Sequence, residues 1–533
     1  MTGRLGAVAA LWALMALAAR TARPDVVVLT AGTLIEGEIL VADNDGVTVK
    51  VYGEPKHFER SQVKGVYFGQ TAKEYREKTV EAGVAPPAGG PKPADPAAAP
   101  APSAAPVPPA PPPPPPPMSA AELEKGVALA IDKGVEYLKR QQRSDGSFGD
   151  TVSTTVYGGG AGKAYPNRPG IAALALLALL KSDVDPGDPA VQRGFQFLRG
   201  WVHKEEDTLT TYDIGATLMA LESLYEGTAK AMLRKMGKKT AERPGDFKEP
   251  VYTLAPADAA LGQKLLKRLC DAQSKRGGWR YGKDYTAPGS EEDNSATQFA
   301  MLGLKSAVRM RLSVDAAVIR RAMLFVLSLQ ERDGPKVDRP GDAKPGDRNT
   351  YASLGEDRAR GWPYIERSDD FRELKATGAM TCAGLTSVLI AKSLLVRTLS
   401  KAEGARIDRC VWDGFAWLYV NWTVDENPGS ARSHYYYLYG LERVGTLGSY
   451  ARFGRHVWFR EGAEVMVRQQ GADGGWDTKA EIPPSNVLDT CFALLFLKRG
   501  TVPIGDVLSP RTEPTPAPAP PPGNAGDPDP RPK

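Results

Sequence analysis

The sequence predicts a mainly α-helical protein, an α6/α6 double ring of helix hairpins preceded by a small β barrel-like module and a proline-rich linker. Three observations carry this expectation. A Gln-to-Gly turn recurs along the chain, an apolar helix follows each turn, and proline-rich stretches bracket one long helical region.

Residues 1–22 read as a secretory signal peptide, with Arg4 ahead of an apolar run from Leu5 to Ala19 and small residues near its end. The run is short for a membrane span, which needs about 20 residues. No later segment reads as long and apolar enough to cross a bilayer. An exported protein, periplasmic or extracellular, is therefore expected, with an uncleaved anchor as the alternative.

Residues 23–84 contain short β-branched runs, Val26 to Leu29, Thr33 to Val41, Val47 to Val51 and Val63 to Phe68, parted by turn residues such as Asn44-Asp45-Gly46. They predict a small β module without a chemical signature. Residues 85–118 are almost all Ala, Pro and Gly and end in the prolines Pro111 to Pro117, a composition that cannot supply a core and suits an extended polyproline spacer. The tail 503–533 has the same character.

The ring is expected over residues 119–502. Gln142 to Gly146, Gln273 to Gly277, Gln330 to Gly334 and Gln470 to Gly474 keep one spacing, and Phe148, Trp279 and Trp476 follow two residues after the glycine in three of them. Gly194 to Leu198 and Gly414 to Leu418 mark two further helices with a degenerate turn. The helix ending at each turn mixes charge with apolar residues at helical spacing, whereas the next is apolar on most sides: Gly170 to Leu180, Tyr212 to Tyr225, Asp293 to Ala307, Met380 to Val396, Tyr435 to Arg443 and Asp489 to Arg499. Six such pairs, apolar helices inside, close a double ring, and closure removes the need for capping repeats.

Composition excludes several functions. The 533 residues carry 68 Lys+Arg against 63 Asp+Glu, dispersed, so no basic surface for nucleic acid is expected. Four cysteines, Cys270, Cys382, Cys410 and Cys491, neither form a disulfide framework nor a Cys-x-x-Cys clip and read as small buried residues.

The Gln-x-x-x-Gly-x-Trp units resemble the QW repeats of the terpenoid cyclase and protein prenyltransferase superfamily, which includes the squalene-hopene cyclases, over roughly Ala121 to Gly500. The resemblance implies an α/α toroid with its reaction cavity at the centre. The repeat residues Gln142, Phe148, Gln273, Trp279, Gln330, Gln470 and Trp476 read as structural: the amide pairs with backbone groups left over at helix ends, and the aromatic ring packs over it.

Chemistry would sit at the heads of the inner helices. Asp213, Asp293 with Asn294, and Asp489 lie there, at positions where such residues also serve as N-caps. A cyclase needs an acid that protonates an alkene between aromatic walls; the family's Asp-x-Asp-Asp motif is absent, and Asp293 and Asp489 are the candidates. Asp489-Thr490-Cys491 resembles the prenyltransferase Asp-x-Cys zinc pair. No histidine follows Cys491, so His434 would have to complete a site of Asp489, Cys491 and His434. His434 and Tyr435, with Arg432, also form the one cluster that suits a polysaccharide lyase.

The leading expectation is a non-catalytic binding or scaffold protein whose central cavity, bordered by Asp213, Asn294, His434 and Tyr435, takes an apolar, isoprenoid-like molecule. An envelope protein is the other partner class. No cofactor is expected. The runner-up is a terpenoid-cyclase-like enzyme, and behind it stand zinc prenyltransferase-like and polysaccharide-lyase-like enzymes.

Overall fold

The computed structural model describes residues 25–29, 34–42, 46–51, 54–59 and 63–67, then 116–149, 169–204, 209–236, 252–281, 292–338, 350–366, 374–477 and 486–501. The leader, most of the linker and the tail lie outside them. The chain divides into two compact units, Met1–Pro113 and Pro114–Lys533.

The first unit is a five-stranded antiparallel sheet of β1 (Asp25–Leu29), β2 (Leu34–Ala42), β3 (Gly46–Val51), β4 (Glu54–Glu59) and β5 (Val63–Tyr67), in the order β4-β3-β2-β1-β5. Val27, Val47, Val49 and Val63 form its small core, with Phe58 packed against them. The sequence reading passed over β4, whose residues EPKHFE carry charge and a proline. An edge strand pairs on one side only and tolerates both.

Twelve helices make the described part of the second unit: α1 (Ala120–Arg140), α2 (Pro169–Lys181), α3 (Pro189–Lys204), α4 (Thr211–Lys235), α5 (Pro256–Asp271), α6 (Asn294–Arg309), α7 (Ala316–Leu329), α8 (Gly378–Leu395), α9 (Lys401–Val420), α10 (His434–Leu447), α11 (Trp458–Gln469) and α12 (Asn486–Leu497). The even-numbered helices pack in sequence, α2 on α4, α4 on α6, α6 on α8, α8 on α10 and α10 on α12, and α12 returns to α2. That is a closed inner ring. The odd-numbered helices lie against its outside.

The division follows composition. On α1 the buried positions Leu123, Ala130, Gly134, Tyr137 and Leu138 fall on one stripe, so its other face meets water. On α2 every residue from Pro169 to Leu180 is buried. Where α4 and α6 meet, a Cβ on Gly215 would stand 2.4 Å from the Phe299 carbonyl oxygen, so only glycine admits this approach. One expectation needs correction here: α8 is long and apolar enough to cross a membrane by length and composition, but as an inner helix 89% of that window is buried in the ring.

The repeated turns bind one layer to the next. The Nε2 of Gln142 donates to the carbonyls of Gly146 and Ala190, that of Gln273 to Gly277 and Val318, and that of Gln470 to Gly474 and Ala130. Each amide thus joins its own turn to the next outer helix, and Gln470 joins the last outer helix to the first. The indole Nε1 of Trp279 donates back to Leu269, and that of Trp476 to Met466. The backbone N–H of each tryptophan donates inward, to Thr297 and Thr490. Gly277 sits at φ +103°, where a Cβ would stand 2.3 Å from the Arg321 carbonyl oxygen.

The third unit departs from the expected turn. Gln330 donates to the carbonyls of Arg360 and Cys410, not to Gly334, and the tryptophan is Trp362, whose indole donates to Val326 and whose N–H donates to Thr381. An insertion separates glutamine from tryptophan. The geometry of the unit survives it.

Candidate functional site

The heads of the inner helices form one end of the ring, and the segments after Trp279 and Trp362 meet two of them. The Thr211 N–H donates to the Tyr281 carbonyl and the Asn294 N–H to the Tyr364 carbonyl. On α4 and α6 an orphan donor of the first turn is therefore met by the following repeat.

The acids of this end are engaged in the same work. Asp213 accepts from the Gly170 N–H at 2.9 Å, the Thr210 N–H at 2.9 Å and the Thr210 hydroxyl at 2.8 Å, which ties the head of α4 to that of α2. Asp293 is the N-cap of α6: one oxygen accepts from the Ala296 N–H at 2.6 Å, the other from Arg280 Nη1 at 2.9 Å. Asp293 is fully buried, and burial raises its carboxyl to about 6, against the pull of the Arg280 guanidinium. Near neutral pH it is ionised and paired. Asp489 lies buried in the first turn of α12.

Asn294 donates to the carbonyls of Pro363 and Met380, bridging α6 to α8. His434 Nε2 lies 2.8 Å from the Val424 carbonyl oxygen, and burial holds its pKa below the usual imidazole range. The Tyr435 hydroxyl donates to Gln469 of α11 at 3.0 Å. Cys491 is fully buried, and burial pushes its thiol far above the ordinary range. Among the described residues no group of three His, Cys, Asp or Glu side chains is gathered to hold a metal.

Three residues not singled out from the sequence make the most concentrated polar cluster of this end. Arg280 Nη1 also donates to the Tyr364 hydroxyl at 3.3 Å, its guanidinium lies 4.5 Å from the Tyr281 ring centre, and the two tyrosine hydroxyls are 2.5 Å apart. Tyr281 and Tyr364 each stand two residues after a repeat tryptophan. Recognition of Trp362 would have aligned them.

Side chains of inner helices that are not ring neighbours touch one another. From α10, the Tyr436 hydroxyl donates to Gln298 Oε1 at 2.6 Å and lies 3.1 Å from Ser295 Oγ, both on α6, which α8 separates from α10 in the ring. The Tyr436 ring lies 6.3 Å from that of Phe299 on α6 and 5.4 Å from that of Phe492 on α12, and Phe299 meets Tyr212 of α4 at 5.0 Å. Side chains from four inner helices thus form one chain of aromatic contacts, Tyr212 to Phe299 to Tyr436 to Phe492. A cavity of about 430 Å³ lies elsewhere, between Ser328–Arg332 and the segment around Ile365, and none of the sequence-nominated acids lines it.

The described helices of the second unit form a closed ring of helix pairs. Among solved structures the chain is similar to two variants of the type II terpene cyclase MstE from Scytonema, each in complex with geranylgeranyl dihydroxybenzoate. They share 10% and 11% identity with it at TM-scores of 0.28 and 0.27, covering 71% and 72% of this chain and 98% and 99% of theirs. Superpositions of that quality supply no argument about activity. No family model matches the sequence, and no curated protein matches it significantly.

Proposed function

We propose that this is an exported, non-catalytic ring protein, a scaffold that acts through its outer surface. The observation that supports this reading best is Tyr436, which reaches from α10 past α8 to α6 and is packed between Phe299 and Phe492. The acids at the helix heads support it too. Asp213 and Asp293 spend their oxygens on backbone N–H groups, a hydroxyl and Arg280, where a protonating acid would have to face an alkene. The partner expected is an envelope protein, in the compartment to which the leader directs the chain.

A terpenoid-cyclase-like activity is the second reading. The aromatic lining of Tyr212, Phe299, Tyr436 and Phe492 favours it, because such rings stabilise carbocations. One experiment separates the two. Purified full-length protein is incubated with squalene and with geranylgeranyl diphosphate, and products are sought by gas chromatography with mass spectrometry. The scaffold reading expects recovery of unchanged substrate; a cyclic product formed by the parent and lost in Asp293→Asn would overturn it.

A further inference from the structure

The last outer helix carries a feature that neither the ring nor its axis uses. Arg460, Glu464 and Arg468 stand four residues apart on α11 and so share one face. Glu464, 9% exposed, lies 3.4 Å from Arg460 Nε and 3.6 Å from Arg468 Nη2, which holds both guanidinium groups over the same stripe. Across that stripe runs the end of the proline run. Arg468 Nη2 donates to the Pro116 carbonyl and Arg460 Nη2 to the Met118 carbonyl, each at 2.7 Å. The chain passes antiparallel to α11 before Ser119, at φ −63° and ψ 160°, caps α1.

The chemistry on the two sides is complementary. A polyproline chain has no N–H to offer, and its helix makes no internal hydrogen bonds, so it presents carbonyl acceptors alone. A matching surface needs donors and no competing acceptors. Arginine supplies several donors in a fixed fork, and the one carboxylate of the stripe is already taken up by the two guanidinium groups.

We propose that the Arg460–Glu464–Arg468 stripe is a docking strip for an extended proline chain, and that its resident occupant is the end of this chain's own proline run, Pro116 to Met118. The strip holds Pro116 and Met118 against α11. Both arginines are partly exposed at their side chains, 47% and 31%, so their replacement does not open the core.

The test uses the full chain with Cys270→Ser, the other three cysteines being buried. Spin labels are placed at the exposed Pro116→Cys, which keeps the backbone carbonyl, and at the exposed Ala472→Cys, and their separation is read by double electron–electron resonance. The parent should give one narrow distance distribution, and Arg460→Ala with Arg468→Ala should broaden it at least twofold while circular dichroism stays unchanged. The pair Arg460→Gln with Arg468→Gln serves as a second variant that keeps donors and should broaden it less. A distribution already broad in the parent, or a narrow one that survives loss of both arginines, overturns the proposal. So does a dipolar signal that arises only between singly labelled chains, which would place another copy's segment on the strip.

Discussion

Removing one oxygen atom tests whether the ring centre is as tightly filled as its contacts indicate. In Tyr436→Phe the aromatic ring stays against Phe299 and Phe492, so packing is preserved and only the hydroxyl is lost. Gln298 then loses the donor at 2.6 Å from its Oε1, and its Nε2 already lacks an acceptor, so a buried amide is left with both ends unsatisfied. Ser295 loses its contact at 3.1 Å. An orphaned buried polar group costs about 1–3 kcal/mol and an ordinary hydrogen bond adds about 1, so the expected loss is about 2–4 kcal/mol. Urea unfolding of the full chain, followed by tryptophan fluorescence, reads it. Adding Gln298→Leu should recover at least half of the loss, because removal of both partners leaves no orphan. A cost under about 0.5 kcal/mol for Tyr436→Phe would mean that water or an open cavity already serves Gln298, and the filled-ring reasoning fails.

Further expectations concern the seam and the buried charges. Gln470→Ala deletes the amide bond to Ala130 that joins the end of α11 to α1, at 2.8 Å, and the bond to Gly474 within its own turn, at 2.9 Å, and should cost about 2 kcal/mol with faster hydrogen exchange along α1; an unchanged exchange pattern would deny the glutamine its linking role. Glu442 is buried, and burial raises its carboxyl from 4.5 to about 7, opposed by Thr501. Its folded-state affinity for a proton exceeds the unfolded one, so its contribution is full below pH 4.5 and lost as pH rises through 7. Relative to Glu442→Gln, the parent should therefore lose about 3 kcal/mol between acid and pH 8, read as a widening difference in Tm, and a difference that stays flat over that range contradicts the assignment. Arg443 is 1% exposed, stacks on Tyr439 at 4.0 Å, and has Nε and Nη1 without hydrogen-bond partners. Arg443→Met should leave stability unchanged or raise it by about 1–3 kcal/mol, and a loss above about 2 kcal/mol would show that the charge is compensated.

The ring was legible because its determinants are local and repeated. A glutamine ending an amphipathic helix, a glycine four residues later and an apolar helix beyond are each visible in a short window, as in Gln470, Gly474 and the run from Val487 to Leu497. What escaped depends on partners distant in the chain. Trp362 is separated from Gln330 by an insertion that no fixed spacing spans, and with it went Tyr364, which meets Tyr281 only when two repeats are laid side by side. The motif Asp489-Thr490-Cys491 drew attention for its acid and thiol, yet the residue with the clearest contact is Thr490, the acceptor for the Trp476 N–H. Its role is evident only beside Thr297 and Thr381, the same position in two other inner helices. The edge strand Glu54–Glu59 was missed for the opposite reason: only Phe58 packs on the small core, and one apolar side chain makes no pattern.

Because α1 packs against both α11 and α12, and Gln470 bonds to Ala130, the first and last turns of the ring unit are neighbours in space. A loop whose two ends touch has no privileged starting point. The chain could be cut between any two of its hairpins and rejoined across the α1 and α12 ends with every interhelix contact retained, so circular permutants should fold to the same ring. The same closeness governs tension. A pull applied between the segment entering α1 and the segment leaving α12 would load that one junction, and the remaining hairpins would bear none of it until the junction parted.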